Sequence, residues 1–310
     1  MGSYVIIPDV TCDLSEEVRE KFGITDYMHG YTHINGVSVK TVLDWSEISR
    51  EEFYKTLESK KNTVSSATAS PEEFYEKFKY YAERGIDVLS MSISSKISGT
   101  YNIAAAAAKR VSEEFPERKI LALDSYRMSG SFGLLVINAA LKRDEGLSID
   151  ELYAWLEENK HCVHQMGPID DMTFIARRGK ISAGKAFMGN LVGIKPMGDS
   201  NTEGYVTVLA KVKGIQKALA ATVNYIAEMG RDIENQYILI SHSVREEHAQ
   251  TLKRLIEERF STKGVFVVDV FSASGTNIGP GMIGVYFMGD PVSENCEKEK
   301  EALNLAISNL

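Results

Sequence analysis

The sequence lacks a surplus of basic residues. Its 310 residues contain 35 Lys and Arg against 43 Asp and Glu, which gives a formal net charge of −8. A protein that binds nucleic acid through the phosphates carries extra basic residues, because their charge displaces counterions from the backbone. The charge balance therefore disfavours nucleic-acid binding as the general function of this chain.

A long apolar run is also missing. No segment approaches the about 18–20 consecutive apolar residues that a helix needs to cross a bilayer. The opening residues MGSYVIIPD have neither the basic start nor the apolar stretch and cleavage site of a secretory signal. We therefore expect a folded, cytoplasmic protein with no membrane-spanning segment and at most transient contact with a membrane.

Cysteine is scarce, and its spacing gives no pairs. The three cysteines are Cys12, Cys162 and Cys296, and no two of them form a C-x-x-C motif. An odd and widely spaced set argues against a disulfide framework and against a cysteine-rich zinc site. We expect three reduced thiols.

Apolar residues are present in the proportion that globular domains use. They make up 44% of the chain, and charged residues make up 25%. With roughly 100–200 residues per domain as a guide, a chain of 310 residues predicts two domains. We place them at residues 1–160 and 161–310, because the pattern of the sequence changes near this boundary.

The first half alternates short apolar runs with longer amphipathic segments, which is typical of a parallel α/β sheet. Residues 86–93, for example, predict a strand. The best-signalled helix begins after Ser70, since Pro71 suits the first helical turn and Glu73 completes an N-terminal capping box. We expect an N-terminal α/β domain built on a parallel sheet.

The second half is harder to interpret. Between residues 165 and 204 glycine and basic residues are frequent and periodicity is weak. The α/β pattern then returns, with a glycine-rich turn predicted between the last two strands. The predicted strands are 205–212, 237–241, 265–271 and 283–288, and the predicted helices are 216–229 and 246–260. We expect a C-terminal α/β domain with a mixed sheet.

Two short motifs match enzyme signatures in spacing but not in context. Residues 279–284 have the spacing G-x-G-x-x-G, yet a strand pattern follows where a dinucleotide site needs a helix. Residues 182–185 read S-x-x-K, but the S-D-N and K-T-G partners of penicillin-recognising enzymes are missing from the chain. We expect neither a nucleotide site nor a hydrolase site.

Histidine pairs are the remaining metal candidates. His161 and His164 have helical i, i+3 spacing, but this pattern at the end of an amphipathic helix favours a solvated terminus. His29 and His33 share one face of a predicted strand, which can equally be a polar face. We expect no metal and no cofactor.

Two hydroxyl-rich segments carry the main functional signal. Residues 63–70 precede the well-capped helix, and residues 94–100 lie between a predicted strand and a helix. Loops after parallel strands form the ligand crevice of an α/β sheet, and helix N-termini there favour anions. The pattern predicts a site for a carboxylate or phosphate. The alternative is that Ser66, Ser70 and Ser98 are N-caps and nothing more.

Six motifs, in order along the chain, match one known family. They are DVTCDL at 9–14, SATASP at 66–71, SSKISGTY at 94–101, FIARRGKI at 174–181, GIKP at 193–196 and GTNIGPG at 275–281. Together they resemble the DegV family of bacterial fatty-acid-binding proteins. Each motif is short, but six in the same order span nearly the whole chain.

This resemblance implies a two-domain protein that encloses one long-chain fatty acid, such as a C16–C18 acid, in an apolar tunnel between the domains. It implies that the hydroxyls of Ser66 and Ser98 hold the carboxylate. Gly99, Thr276 and Asn277 complete the implied ligand-binding set. It also implies a carrier with no catalytic residue, which presents its ligand to a separate fatty acid kinase that forms an acyl phosphate.

The chain departs from the family pattern at several positions. Asn277 stands where the family has histidine, which removes an ionisable group near the head group. Lys180 replaces an arginine, and a point charge is a poorer phosphate ligand than a guanidinium fork.

Residues 177–195 contain five basic and no acidic side chains. We therefore predict a phosphate or partner contact at Arg178 and Lys180.

Two other functions remain open from the sequence. One is an enzyme acting on a small anionic metabolite, with Asp9 or Asp13 as acid or base, since fold does not determine function. A short polar pocket beside a titratable group would favour it, whereas a long apolar cavity would favour the carrier. The other is an interaction module that uses the basic segment 177–180 as its contact surface.

Overall fold

A computed structural model describes residues 4–170, 174–175 and 193–310. The first half contains six strands and six helices within these ranges. The strands are β1 Tyr4–Pro8, β2 Gly30–Ile34, β3 Val37–Thr41, β4 Val64–Thr68, β5 Asp87–Ser92 and β6 Ile120–Asp124. The helices are α1 Glu16–Lys21, α2 Arg50–Glu58, α3 Pro71–Ala82, α4 Thr100–Glu114, α5 Ser129–Asp144 and α6 Ile149–Asn159.

The second half continues the alternation of strands and helices. Its strands are β7 Val163–Met166, β8 Ile194–Ser200, β9 Val206–Lys213, β10 Tyr237–His242, β11 Gly264–Asp269 and β12 Ile283–Met288. Its helices, in the described part of the chain, are α7 Ile215–Met229, α8 Glu246–Arg259, α9 Ser272–Ile278 and α10 Glu297–Ser308. None of the described helices is long and apolar enough to span a membrane.

The strands form four sheets, and each sheet is built from one half of the chain. In the first half, β1, β5 and β6 form a parallel sheet, and β3, β2 and β4 form an antiparallel one. In the second half, β11 pairs in parallel with β10, and β12 and β7 add antiparallel strands. Strands β8 and β9 form a hairpin. The predicted α/β class, with a parallel sheet first and a mixed sheet second, is confirmed.

Helix α3 begins where the sequence predicts. The Ser70 hydroxyl accepts a hydrogen bond from the Glu73 amide at 3.3 Å, and the Glu73 carboxylate accepts one from the Ser70 amide at 2.7 Å. Pro71 occupies the first turn, where its missing N–H costs nothing. Phe74 and Phe78, one turn apart, are fully buried and pack this helix against the parallel sheet.

Helix α5 lies at the centre of the molecule and is buried along most of its length. It contacts β1 in the first half and β7, β10 and β12 in the second. Gly133 permits this position, because a β-carbon there would clash with the backbone oxygen of Cys12 and lie 2.9 Å from Cδ2 of Leu14. The helix therefore joins the cores of both halves.

Two segments differ from the sequence prediction. The glycine-rich turn predicted between residue 271 and the last strand is shorter than expected, because residues 272–278 form helix α9 and the turn follows at Gly279 and Gly281, which have φ angles of 78° and 94°. Its sequence, SASGTNI, has little helix propensity, but five of its seven residues are buried and it packs on α2, β2 and β4. Tertiary packing here overrides a weak local preference. Within the weakly periodic region, residues 194–200 form strand β8.

The close approach at Gly133 gives a prediction of stability. In an open helix, a change from glycine to alanine stabilises by about 0.5–1 kcal/mol. Gly133→Ala is expected to do the reverse and lower the free energy of unfolding by about 1–3 kcal/mol, because its methyl group overpacks the contact with Cys12. Urea unfolding followed by circular dichroism measures the change. A variant as stable as the wild type would contradict this packing.

Candidate functional site

A cavity of about 250 Å³ is lined by residues from both halves of the chain. Most of its wall is aliphatic or thioether side chain. The apolar lining includes Ile93, Ile97, Met128, Met166, Met197, Val206, Val208, Ile278 and Met282. Strands β8 and β9 supply part of this wall, and β8 lies in the region where sequence periodicity was weakest. The local signal of that wall was the predicted strand 205–212, which contains the lining residues Val206 and Val208.

Ser98 lines the cavity just before helix α4. Its hydroxyl lies 2.8 Å from the hydroxyl of Thr100 and accepts a hydrogen bond from the Thr100 amide at 3.3 Å. Thr100 also lines the cavity, so two linked hydroxyls stand at a helix N-terminus. Either hydroxyl can donate to the other, which leaves one O–H group for a ligand. This arrangement suits an anionic head group.

Ser66 also lines the cavity, but from a strand rather than a loop. It lies in β4 opposite Thr32, so it is not an N-cap. The Asn277 side-chain amide donates to the Ser66 hydroxyl at 3.1 Å and to the backbone oxygen of Ala273 at 3.1 Å. Because the Ser66 oxygen accepts this bond, its own O–H remains available to donate to a ligand.

The cavity thus brings together three of the five predicted ligand-binding residues, Ser66, Ser98 and Asn277. Among the residues that the structure describes, Gly99 and Thr276 are not part of the lining. The Thr276 hydroxyl is buried and donates to the backbone oxygen of Ser272 at 2.8 Å. Ligand contacts at these two positions stay predictions.

The predicted partner contacts are not among the residues that the structure describes. Arg178 and Lys180 fall outside the described residues, as does the S-x-x-K motif at 182–185. Of the basic segment 177–195, Lys195 is described, and it forms an ion pair with Asp170.

Asp9 is buried at the cavity wall and its carboxylate is already bonded. One oxygen accepts from the Thr11 amide at 2.9 Å and from the Thr11 hydroxyl, and the other accepts from the Ile93 amide at 2.8 Å. Burial raises the pKa of Asp9, and these bonds act in the opposite direction. The carboxylate ties the end of β1 to the segment after β5, so a role in shaping the wall accounts for its position.

Asp13 is fully buried and connects the two halves. Its carboxylate accepts a hydrogen bond from the Ser129 hydroxyl at 2.6 Å, at the start of α5. It also accepts one from the Phe271 amide at 3.0 Å, just before α9. Burial raises the pKa of Asp13 to about 7, although the bond from Ser129 lowers it. Asp13 is not among the described lining residues of the cavity.

Of the two histidines predicted to be solvated, His164 is fully buried and His161 is partly buried. His164 lies in β7 with its Nδ1 atom 2.7 Å from the Asp199 carboxylate and its Nε2 atom 2.8 Å from the backbone oxygen of Asp290. Burial alone would lower the pKa of His164, but Asp199 raises it. The carboxylate and the carbonyl both accept hydrogen bonds, so both ring nitrogens donate and His164 forms a buried ion pair with Asp199.

Within the described residues, one group has the spacing of a metal site, namely His242, Glu246 and Asp269. The sequence patterns did not indicate it. Nε2 of His242 lies 2.8 Å from Glu246, while Nη1 of Arg50 lies 2.9 Å from Asp269. The Arg245 amide donates to Nδ1 of His242, so Nε2 carries the ring proton. A protonated nitrogen beside a guanidinium fits an ion-pair network better than a metal site.

The fold and the cavity together define an α/β protein with a largely apolar cavity lined by both halves of the chain. The sequence model of the DegV family, described as a family of uncharacterised proteins, matches residues 3–290. A DegV domain-containing protein of Clostridium perfringens is 31% identical over 290 residues, covering 94% of this chain and 99% of the relative. The chain belongs to the DegV family.

Solved structures of this family have the same fold. A DegV family protein from Thermus thermophilus, reported to bind fatty acid, superposes with a TM-score of 0.81 at 24% identity, covering 93% of this chain and 99% of that chain. The Streptococcus pneumoniae fatty acid kinase B3 protein, loaded with linoleic acid, superposes with a TM-score of 0.78 at 19% identity. That match covers 93% of this chain and 100% of the other.

The raised pKa of Asp13 predicts a pH dependence of stability. The folded state holds this proton up to about pH 7, whereas an unfolded aspartate releases it near pH 4. The folded state therefore loses stability as the pH rises between these values. Asp13→Asn removes this titration, so the stability of the wild type relative to the variant should fall by about 1–3 kcal/mol from pH 5 to pH 8.

Urea unfolding of both proteins at several pH values measures this difference. Asp144→Asn is a matched control, since it removes an exposed carboxylate from the end of helix α5. Parallel stability curves for the wild type and Asp13→Asn would show that Asp13 does not titrate as its burial requires.

Proposed function

We propose that the protein is a cytoplasmic carrier that binds one long-chain fatty acid in this cavity. The acyl tail lies against the apolar wall, and the carboxylate is held by the hydroxyls of Ser66 and Ser98. The observation that carries the proposal is the cavity itself, which combines an apolar wall from both halves with uncharged hydroxyl donors. Three buried, unpaired cysteines agree with a reducing compartment.

The energetics favour an apolar wall for the acyl tail and hydroxyl donors for the carboxylate. Each methylene transferred from water contributes about 0.8 kcal/mol, so a long tail provides most of the binding free energy. The carboxylate, in contrast, costs several kcal/mol if it leaves water without hydrogen bonds. Ser66, Ser98 and the amides at the start of α4 offer those bonds, which is why hydroxyls suit an otherwise apolar cavity.

We further propose that the chain has no catalytic residue and needs no cofactor. The two carboxylates that could act as acid or base have other roles. Asp9 accepts three hydrogen bonds, and Asp13 bridges α5 and α9 away from the cavity lining. An enzyme acting on a small metabolite would place such a group beside the ligand with a free oxygen.

A separate kinase is the proposed partner. The similarity to the Streptococcus pneumoniae fatty acid kinase B3 protein supports a carrier that presents its ligand for acyl-phosphate formation. We propose that residues 1–160 form the domain that binds the carboxylate and residues 161–310 the domain that covers the tail. The basic positions Arg178 and Lys180 are the proposed contact with the kinase or with phosphate.

Ligand content tests the proposal directly. Protein purified from cells is expected to carry about one fatty acid per chain, because an apolar cavity of this kind retains its ligand in water. Native mass spectrometry gives the stoichiometry, and extraction followed by gas chromatography identifies the acid. Protein that is consistently empty, and that fails to take up added fatty acid after delipidation, would contradict a carrier.

Removal of one hydroxyl tests the head-group site. Ser98→Ala is expected to weaken fatty-acid binding by about 1–3 kcal/mol, because a desolvated carboxylate loses a donor. Displacement of a fluorescent fatty acid measures the affinity. Ser261→Ala, at an exposed position outside the cavity lining, is the control and should bind as the wild type does. An unchanged affinity in Ser98→Ala would remove Ser98 from the site.

A further inference from the structure

The turn of the β8–β9 hairpin touches the first half of the chain beside the loop 94–98, which carries Ser98. Gly204 lies in this turn, is buried and has a φ angle of 84°. A β-carbon on Gly204 would clash with the Ser94 hydroxyl and lie 3.2 Å from Cβ of Ser94 and 3.4 Å from Cδ1 of Tyr126. The backbone of the turn therefore rests directly on Ser94, in a contact and a conformation that favour glycine.

Ser94 is the residue that holds the loop 94–98 together. Its backbone oxygen accepts hydrogen bonds from the amides of Ile97 at 3.1 Å and Ser98 at 3.2 Å. Its hydroxyl accepts one from the Lys96 amide at 3.3 Å, and its own amide donates to the backbone oxygen of Arg127 at 2.9 Å. The Ser94 side chain is fully buried. A displacement of Ser94 therefore moves the backbone of Ser98 with it.

The hairpin turn has its own set of hydrogen bonds. The Asn201 side-chain oxygen accepts from the amides of Glu203 at 3.1 Å and Tyr205 at 2.9 Å. The Asn201 amide donates to the backbone oxygen of Tyr205 at 2.8 Å, and the Gly204 amide donates to that of Asn201 at 3.1 Å. Because the turn is tied in this way, a side chain at Gly204 is expected to push on Ser94 rather than to be absorbed within the turn.

The same hairpin forms part of the apolar wall. Met197 of β8 and Val206 and Val208 of β9 line the cavity. Val206 follows Gly204 by two residues, so the contact with Ser94 and the wall for the acyl tail belong to one short element. The position of this element therefore affects both ends of the proposed ligand.

Arg127 adds a second tie between the hairpin and the loop 94–98. Its guanidinium is fully buried and donates to the backbone oxygen of Tyr126 at 2.9 Å. Burial lowers the pKa of Arg127 to about 10, while the charge of Asp199 in β8 acts in the opposite direction. Because Arg127 also accepts the hydrogen bond from the Ser94 amide, its attraction to Asp199 draws β8 toward the segment that holds Ser94.

We propose that Gly204 is a positioning residue of the head-group site, because the hairpin turn that rests on Ser94 sets the position of the Ser98 hydroxyl. The hairpin that covers the acyl tail then also completes the carboxylate site. This inference rests on the proposed function, since it assumes that Ser98 binds the carboxylate of a fatty acid. It gives the second half of the chain a part in head-group recognition, which the hydroxyl-rich motifs of the first half do not indicate.

Gly204→Ala tests the assignment on delipidated protein, with two probes that differ only at the head group, hexadecanoic acid and hexadecan-1-ol. The methyl group should displace Ser94 and Ser98, so that the carboxylate loses a donor. The affinity for the acid, measured by displacement of a fluorescent fatty acid, is expected to fall about tenfold relative to that for the alcohol. The alcohol should lose at most about threefold, because it brings no charge into the cavity.

Gly36→Ala is the matched control. Gly36 lies in the exposed turn between β2 and β3 and has the same φ angle of 84°, but a β-carbon there would meet no described atom within 4 Å. Both variants therefore carry the same backbone strain, whereas Gly204→Ala adds the clash with Ser94. Gly36→Ala should keep the wild-type ratio of acid to alcohol affinity.

Each outcome decides for or against the assignment. A lower ratio in Gly204→Ala, with alcohol binding retained, supports it and shows that the variant is folded. An unchanged ratio overturns it, whether both affinities fall together, as they would if only the tail wall moved, or neither falls. An equal loss of the ratio in Gly36→Ala also overturns it, since strain would then be the cause. A wild type that binds neither probe, or binds both equally, contradicts the proposed function itself.

The double variant Gly204→Ala with Ser94→Ala gives a second measurement, which also decides the case in which Gly204→Ala alone does not fold. Removing the Ser94 hydroxyl opens space for the methyl group and keeps the backbone oxygen that accepts from Ser98. The ratio of the double variant is expected within about threefold of that of Ser94→Ala alone. A ratio about tenfold lower, or loss of binding to both probes, would show that the methyl group acts without Ser94 and would overturn the assignment.

Discussion

The structure depends on one buried carboxylate, that of Asp13. It accepts hydrogen bonds from Ser129, at the start of α5, and from the amide of Phe271, before α9. Both helices line the cavity near these contacts, through Met128 and Ser129 and through Ala273 and Asn277. Asp13 and Ser129 have positive φ angles of 53° and 48°, which cost energy unless the surroundings compensate. The shape of the cavity therefore follows from how this carboxylate is satisfied.

For the proposed fatty-acid ligand, the cavity separates two physical tasks. The apolar wall recognises the tail without direction, because hydrophobic burial depends on area. The head group, by contrast, meets directional donors that are mostly uncharged. Hydroxyls bind a carboxylate less tightly than an arginine fork does, so a carrier with such a site can still give up its ligand.

Local signals predicted local structure well. The capping box of Ser70 and Glu73 lies within four residues, and helix α3 begins there as expected. Such local signals could not predict contacts between distant parts of the chain. Ser66 lies in a strand because Thr32 pairs with it from another part of the chain. Residues 272–278, predicted as part of a turn, form a helix because α2, β2 and β4 cover them.

The sequence by itself determined the α/β class, the best-capped helix and the family, since each rests on residues close together or on ordered motifs. It also marked Ser66 and Ser98 as candidates. Only the tertiary structure decided which side chains share the cavity, because Asn277 meets Ser66 across 211 residues of chain. It likewise placed Gly204 against Ser94. Chain folding, not spacing, sets such distances, so no pattern of neighbouring residues encodes them.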